Sequence, residues 1–244
     1  AAEDAAEGAG SPLSIGREQA QSPPQAAIRA PGKTADRVQV SNQSLGIREL
    51  GAVLLRLLLD PKSGVDIAFM QGGVAKFPEA NGVVMLASLY YEPLWIFVRR
   101  GERIDALSAL AGKRIAVGLA GSGTRALAVT LLAASGVSAD NATLLQLPAD
   151  QAQRSLKVGE VDASLLGGGL RSPVIMAGLT DPVLDLVSLA QADAYPRRYP
   201  YLTRRTLPAG TIGFVPLLPP TDVALVSTEA MLAARDNLHP AIVN

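Results

Sequence analysis

Lys113-Arg114-Ile115-Ala116-Val117-Gly118-Leu119-Ala120-Gly121-Ser122-Gly123-Thr124 is the stretch on which the reading of this chain turns. Its first half is a short apolar run, the pattern of a buried strand. Its second half is rich in glycine and opens a helical pattern from about Thr124 to Ala134, with Gly136 where a capping glycine is expected. Strand, glycine loop and helix in that order form the repeating unit of an α/β sheet, which takes ligands outside the carboxyl ends of its strands. Small residues let backbone amides approach a ligand, and a helix start presents unpaired N–H groups with partial positive charge. Ser122 and Thr124 add hydroxyl groups, so Gly121, Ser122, Gly123 and Thr124 suit a carboxylate or a phosphate. A plain serine cap on a glycine turn explains the same residues. The loop alone leaves both readings open.

Working outward, Leu144 to Leu147 is a strand pattern, Ala149 to Leu156 a helix ending near Gly159, and Val161 to Leu165 another strand. Upstream, Leu45 to Leu59 has helical spacing interrupted by Gly51, and Asp60-Pro61-Lys62-Ser63-Gly64 is a turn that closes it. Val65 to Phe69 is a short strand running into Gln71-Gly72-Gly73. Val83 to Ser88 and Leu94 to Val98 read as two strands parted by Glu92-Pro93. Strands separated by single helices predict parallel sheets with helices on the faces. One short echo stands out: Val65-Asp66-Ile67-Ala68 leads to Gly72-Gly73 as Val161-Asp162-Ala163-Ser164 leads to Gly168-Gly169. It suggests two α/β lobes, each ending a strand in a glycine loop that faces one cleft. Residues 1–37 are rich in Ala, Gly, Ser, Pro and Gln and read as an irregular or mobile arm, with ordered sequence from Val38.

Composition narrows the function. Hydrophobic residues make up 48% and charged residues 18%, enough for a sizeable core. Lys plus Arg and Asp plus Glu are balanced at 22 each, and aromatics are only 4%, so nucleic acid is disfavoured as a partner. Cysteine is absent, which excludes disulfides and thiol chemistry, and the single histidine, His239, excludes a histidine metal cluster. No cofactor is expected. No apolar run reaches the roughly 18 residues of a membrane span, and residues 1–10 lack the pattern of a signal peptide. If the protein is exported, its targeting segment has been removed or lies outside this sequence.

Familiar catalytic patterns are missing. Arg125 follows Thr124 where a phosphate-binding Walker loop needs Gly-Lys-Ser/Thr, and Gly32-Lys33-Thr34 lacks the earlier glycine of that motif. Glycines 118, 121 and 123 have the wrong spacing for a dinucleotide fingerprint, and Gly121-Ser122-Gly123 is no nucleophile elbow. Tyr90, Tyr91, Glu92 and Trp95 cluster where they line either a cleft or a core. Arg197-Arg198-Tyr199 and Arg204-Arg205 pair with an anion or form a solvated loop. No catalytic residue set emerges.

Five segments taken in order carry a family resemblance. They are Ser63 to Gly73, Leu89 to Phe97, Ala111 to Gly118 with Gly121-Ser122-Gly123-Thr124, Gly159-Glu160-Val161-Asp162-Ala163, and Leu207-Pro208-Ala209-Gly210-Thr211. Together they resemble the solute-binding subunit of tripartite ATP-independent periplasmic (TRAP) transporters, of the TAXI branch, over roughly residues 60–240. The resemblance implies a two-lobed α/β fold of the type II periplasmic-binding kind with a hinged cleft. Residues 38–95 with 212–244 would form a first, incomplete lobe and 96–211 the second. It implies capture of a small carboxylate, an amino acid or a dicarboxylate, for TRAP membrane subunits, in a periplasmic or extracytoplasmic setting. The membrane is then met only through the transporter. The implied ligand residues are Gly121, Ser122, Gly123 and Thr124, with Gln71 and Tyr91 facing them and Gly168 completing the wall. The chain departs from the family at its start, where residues 1–45 lack the usual G-x-x-G-x-x-Y loop. A sensor of the same fold is the alternative function, and a small enzyme using the glycine loop as an oxyanion site ranks last.

Overall fold

The computed structural model describes residues 54–72 and 82–238. The arm expected over 1–37, the start at Val38, Gly73, His239 and the terminal 241–244 lie outside the described residues. A helix, α1, covers residues 54–59, and the turn at 60–64 ends it. There follow β1 (Ile67–Gln71), β2 (Val83–Arg99), a 3-10 turn at Leu107–Leu110, β3 (Arg114–Ala116), α2 (Gly123–Ala134), β4 (Thr143–Leu145), α3 (Ala149–Lys157) and β5 (Ala163–Gly167). Then come α4 (Pro173–Leu179), β6 (Leu184–Leu186), α5 (Ala194–Arg198), β7 (Leu202–Leu207), β8 (Gly213–Phe214), β9 (Leu217–Leu218) and β10 (Val223–Arg235).

One sheet holds the described residues together, in the order β1-β10-β2-β5-β3-β4, with β7 beside β10 and β6 beside β2. The class is the expected mixed α/β. The expected all-parallel pairing is not what forms: β3 is parallel to β4 and β5, while every other pair in the main sheet is antiparallel. The reason is β2 and β10, two long strands from distant parts of the chain that pair antiparallel with each other and carry β5 and β6, and β1 and β7, as antiparallel neighbours. β2 also corrects the expectation of two strands parted by Glu92-Pro93, since it runs unbroken from Val83 to Arg99. Pro93 lies opposite Ser227 of β10, just before the stretch that gains β5 as a second neighbour. With one flank unpaired there, the missing N–H is tolerated as on an edge strand.

The echo seen in sequence has a structural counterpart. β1 and β5 occupy equivalent positions in it, and each pairs antiparallel with one of the two long strands, β1 with β10 and β5 with β2. β1 ends with Gln71 opposite Ala230, and β5 ends with Gly167 opposite Leu94. The β2–β10 ribbon therefore carries a short glycine-terminated strand on either flank.

Packing divides along the same lines. A small cluster gathers Leu54, Leu58, Val65, Ala68, Met70, Val83 and Ala233 around β1 and the far ends of the ribbon. A larger body sandwiches the rest of the sheet. On one face, Leu127, Ala128, Leu131 and Leu132 of α2 meet Leu94, Ile96, Ile115 and Leu165. On the other, Ala152 and Leu156 of α3 and Ile175 of α4 meet Trp95, Phe97 and Ala116. Each such fully buried Leu or Phe contributes about 2 kcal/mol by leaving water.

The small cluster has a polar organiser as well. Arg235, 8% exposed at the end of β10, donates from Nε to the Val65 carbonyl at 2.7 Å and from Nη2 to the Leu57 carbonyl at 3.0 Å and Ser63 Oγ at 2.8 Å. It also reaches the Asp60 carbonyl, and Asp66 lies 3.6 Å from its Nε. These carbonyls belong to the last turn of α1 and the turn after it, which need donors from elsewhere.

Candidate functional site

The carboxyl ends of the parallel strands β3 and β5 bring two glycine loops together, Gly118–Ser122 and Gly167–Gly169. Each has one glycine packed too closely for a side chain, Gly118 in the first and Gly167 in the second. A Cβ on Gly118, whose φ is 86°, would meet Ser122 Oγ at 3.0 Å and Thr124 Cβ at 3.3 Å. A Cβ on Gly167 would meet Thr124 Oγ1 at 2.5 Å. The start of α2 is thus held against the end of β5 by two glycines and one threonine. Trp95, 1% exposed, fixes the second loop by donating its indole N–H to the Gly168 carbonyl at 2.7 Å.

Ser122 proves to be the cap of α2. Its Oγ accepts from the Arg125 N–H at 3.1 Å and donates to the Leu119 carbonyl at 2.9 Å, so its one hydroxyl hydrogen is used inside the turn. Thr124 differs. Among the described residues its hydroxyl has no hydrogen-bond partner, and the backbone N–H groups of Gly123 and Thr124 have no acceptor. Arg125, next along α2, keeps its Nη1 buried with no hydrogen-bond partner among the described residues. A desolvated guanidinium nitrogen and open helix-start amides both favour a negative group nearby.

Gln71 lies at the end of β1, separated from β5 in the sheet by β10 and β2. Its Nε2 donates to Glu92 Oε2 at 3.0 Å and to Thr228 Oγ1 at 2.8 Å, which joins β1 to both long strands. Glu92 and Thr228 are direct partners in the ribbon, midway between the Tyr90–Ala230 pair beside Gln71 and the Leu94–Val226 pair beside Gly167. By alternation along β2, Glu92 shares the face of Leu94, the face that α2 covers. Burial pushes the Glu92 carboxyl above its ordinary pKa. Burial, followed by the nearby Glu92 charge, does the same to the Tyr90 phenol.

Of the residues singled out in the sequence, Gly121, Ser122, Gly123 and Thr124 sit together with Gly168 at the two loops, and Gln71 sits at the end of β1, beyond β10 and β2 in the same sheet. Tyr91 lies on the opposite face of the sheet, with the Arg205 guanidinium 4.2 Å above its ring. Arg204 and Arg205 belong to β7 and not to a loop, and Arg204 pairs with Asp193 at 3.3 Å. Sequence reasoning missed Thr228 and the roles of Glu92 and Trp95. Glu92-Pro93 carried the only visible signal, a charge inside an apolar strand. Among the described residues no group of three His, Cys, Asp or Glu is placed to hold a metal, and no helix is long and apolar enough to cross a membrane.

Solved structures similar to this chain include the periplasmic aliphatic sulphonate binding protein SsuA from Escherichia coli. It is 15% identical with a TM-score of 0.43, over 75% of this chain and 52% of that one. A Corynebacterium glutamicum OxyR C206 mutant is 16% identical with a TM-score of 0.45, over 79% and 48%. An ancestral arginine-binding protein bound to arginine is 15% identical with a TM-score of 0.37, over 80% and 66%. The chain thus spans about half the length of the first two and two thirds of the third. Residues 65–243 match the NMT1-like family, and the chain belongs to it.

Proposed function

We propose that this chain is the ligand-binding part of an extracytoplasmic solute-binding protein that captures a small carboxylate for a TRAP-type transporter of the TAXI branch. The observation that carries this reading is the pair of glycine loops closed around the start of α2. There the Thr124 hydroxyl and the first amides of the helix are left without partners among the described residues. A carboxylate set there accepts hydrogen bonds from donors already held in place, which is how an oriented site gains affinity without reorganising.

In this reading residues 38–95 with 212–244 form one lobe and 96–211 the other, and the β2–β10 ribbon serves as the hinge between them. The separate small cluster around β1 supports that division, and the larger body around α2 to α4 meets the ribbon through Leu94, Trp95, Val223, Leu225 and Val226. Closing the lobes around the solute strengthens its hydrogen bonds by excluding water. The role is binding and presentation to membrane subunits. No assembled set of acid, base and nucleophile among the described residues points to catalysis.

Thr124→Val tests the reading, because it keeps the shape that packs on Gly167 and removes only the hydroxyl. In a thermal-shift screen of amino acids and dicarboxylates, the wild-type chain gains stability by mass action with at least one. Thr124→Val loses most of that gain at an unchanged ligand-free Tm. A wild-type chain indifferent to every small carboxylate would end the proposal.

A further inference from the structure

The polar pair at the centre of the ribbon has a composition that the carboxylate seat does not explain. Glu92 and Thr228 stand midway between the ends of β1 and β5, in the floor between the two glycine-terminated strands. Both amide hydrogens of Gln71 are spent on Glu92 Oε2 and Thr228 Oγ1. That leaves Glu92 Oε1 and Gln71 Oε1 as acceptors with no donor among the described residues. Nor does any Lys or Arg among the described residues pair with Glu92: on β7, beyond β10, Arg204 is paired with Asp193 and Arg205 lies on the other face, over Tyr91. A half-buried carboxylate without a cation is costly unless something positive completes it. The upward displacement of its pKa agrees with that unmet demand.

The spacing suits one small molecule. Glu92 is one side-chain repeat beyond Leu94 on the same face, and Leu94 faces Gly167, against which Thr124 is packed. Two residues of strand advance about 6.7 Å and paired strands lie about 5 Å apart. The Glu92 and Gly167 Cα atoms are then roughly 8 Å apart, so that the Glu92 carboxylate and the Thr124 hydroxyl above Gly167 are separated by a span of the size of a short zwitterion with a hydrogen bond at each end.

We infer that Glu92 is a specificity-determining ligand residue, one that seats an ammonium group while the solute's carboxylate meets the start of α2. This rests on the reading of that helix start as the carboxylate seat. Gln71 is then a positioning residue that aims Glu92, and an acceptor for a second ammonium hydrogen. The chain selects zwitterionic amino acids over plain acids and dicarboxylates that bear no amine.

The test is calorimetric titration of the whole chain with the protein L-amino acids and with deaminated partners matched in skeleton, such as isocaproate for leucine and glutarate for glutamate. Amino acids that bind are expected to do so at least about tenfold more tightly than their deaminated partners, and Glu92→Gln erases that preference. Because the comparison of matched ligands is made on the wild-type protein, it stands even if the variant folds poorly. Equal binding of both members of a pair, or binding of the deaminated acids alone, overturns the role of Glu92 and leaves the carboxylate seat intact. A chain that binds neither set overturns both.

Discussion

The two packed regions on either side of the crossing ribbon are stabilised in different ways. The larger one is a three-layer sandwich, with Trp95 and Phe97 on one face of the sheet and the Leu127–Leu132 side of α2 on the other. Among the described residues the smaller one has no aromatic side chain in its buried cluster, and Arg235 ties its backbone together from inside. Apolar packing is non-directional and spread over many contacts, whereas a guanidinium satisfying several carbonyls concentrates its contribution in one residue. One region should therefore degrade gradually under substitution and the other at a single point.

The largest effect is expected from Phe97→Ala, about 4 kcal/mol, because the ring is fully buried between the sheet and α4 and leaves a cavity. Urea unfolding measures it, and a loss under about 1 kcal/mol would show that the sandwich is not what holds this region. Arg235→Met comes next at about 3 kcal/mol, since it strands the carbonyls of Val65, Leu57 and Asp60. Hydrogen exchange sharpens the comparison: β1 and the end of β10 lose protection while β3, β4 and β5 keep theirs. Uniform loss of protection across both regions would break it.

Gly167→Ala should cost about 2 kcal/mol and weaken ligand binding as well, because the new methyl collides with Thr124 Oγ1. A Gly169→Ala control, where a Cβ meets nothing within 4 Å, leaves both nearly unchanged. The smallest effect is one of pH. Asp162 is held well below its ordinary value of 3.8 by hydrogen bonds from Arg114, its backbone N–H and Arg99. A carboxyl depressed on folding contributes stability that is complete above its ordinary value and is lost as pH falls through that range toward the native value. Asp162→Asn should therefore flatten the acid limb of the Tm–pH curve and leave β1 and α1 unaffected. An unaltered acid limb would remove Asp162 from the account.

Much of α2 and its surroundings was legible in sequence because the signals are local. The helical period from Thr124, the glycine at 136 and the turn at 60–64 are each read within a few residues, and the structure sets Gly136 at φ 77° just past the helix. The pairing of β2 with β10 was not legible. Nothing local marks Glu92 and Thr228 as partners, because strand pairing is decided by which apolar faces find cover far along the chain. Pro93 pointed the wrong way for the same reason, since a proline reads as a strand breaker unless its flank is known to be unpaired. Ser122 shows the opposite difficulty. Its residue type and place were evident, but whether its hydroxyl serves the helix or a ligand depends on where one hydrogen goes.

Trp95 is the chain's single tryptophan, and its indole N–H is tied to the Gly168 carbonyl of the second glycine loop. The protein thus carries one indole, fixed to the loop of the proposed ligand site. Indole emission answers to the dipoles around the ring, so under the proposed function a solute that moves the Gly168 loop is expected to change the colour or yield of that signal, excited at wavelengths the five tyrosines do not absorb. Binding, and the speed of it, can be read by stopped-flow fluorescence on the unlabelled wild-type chain.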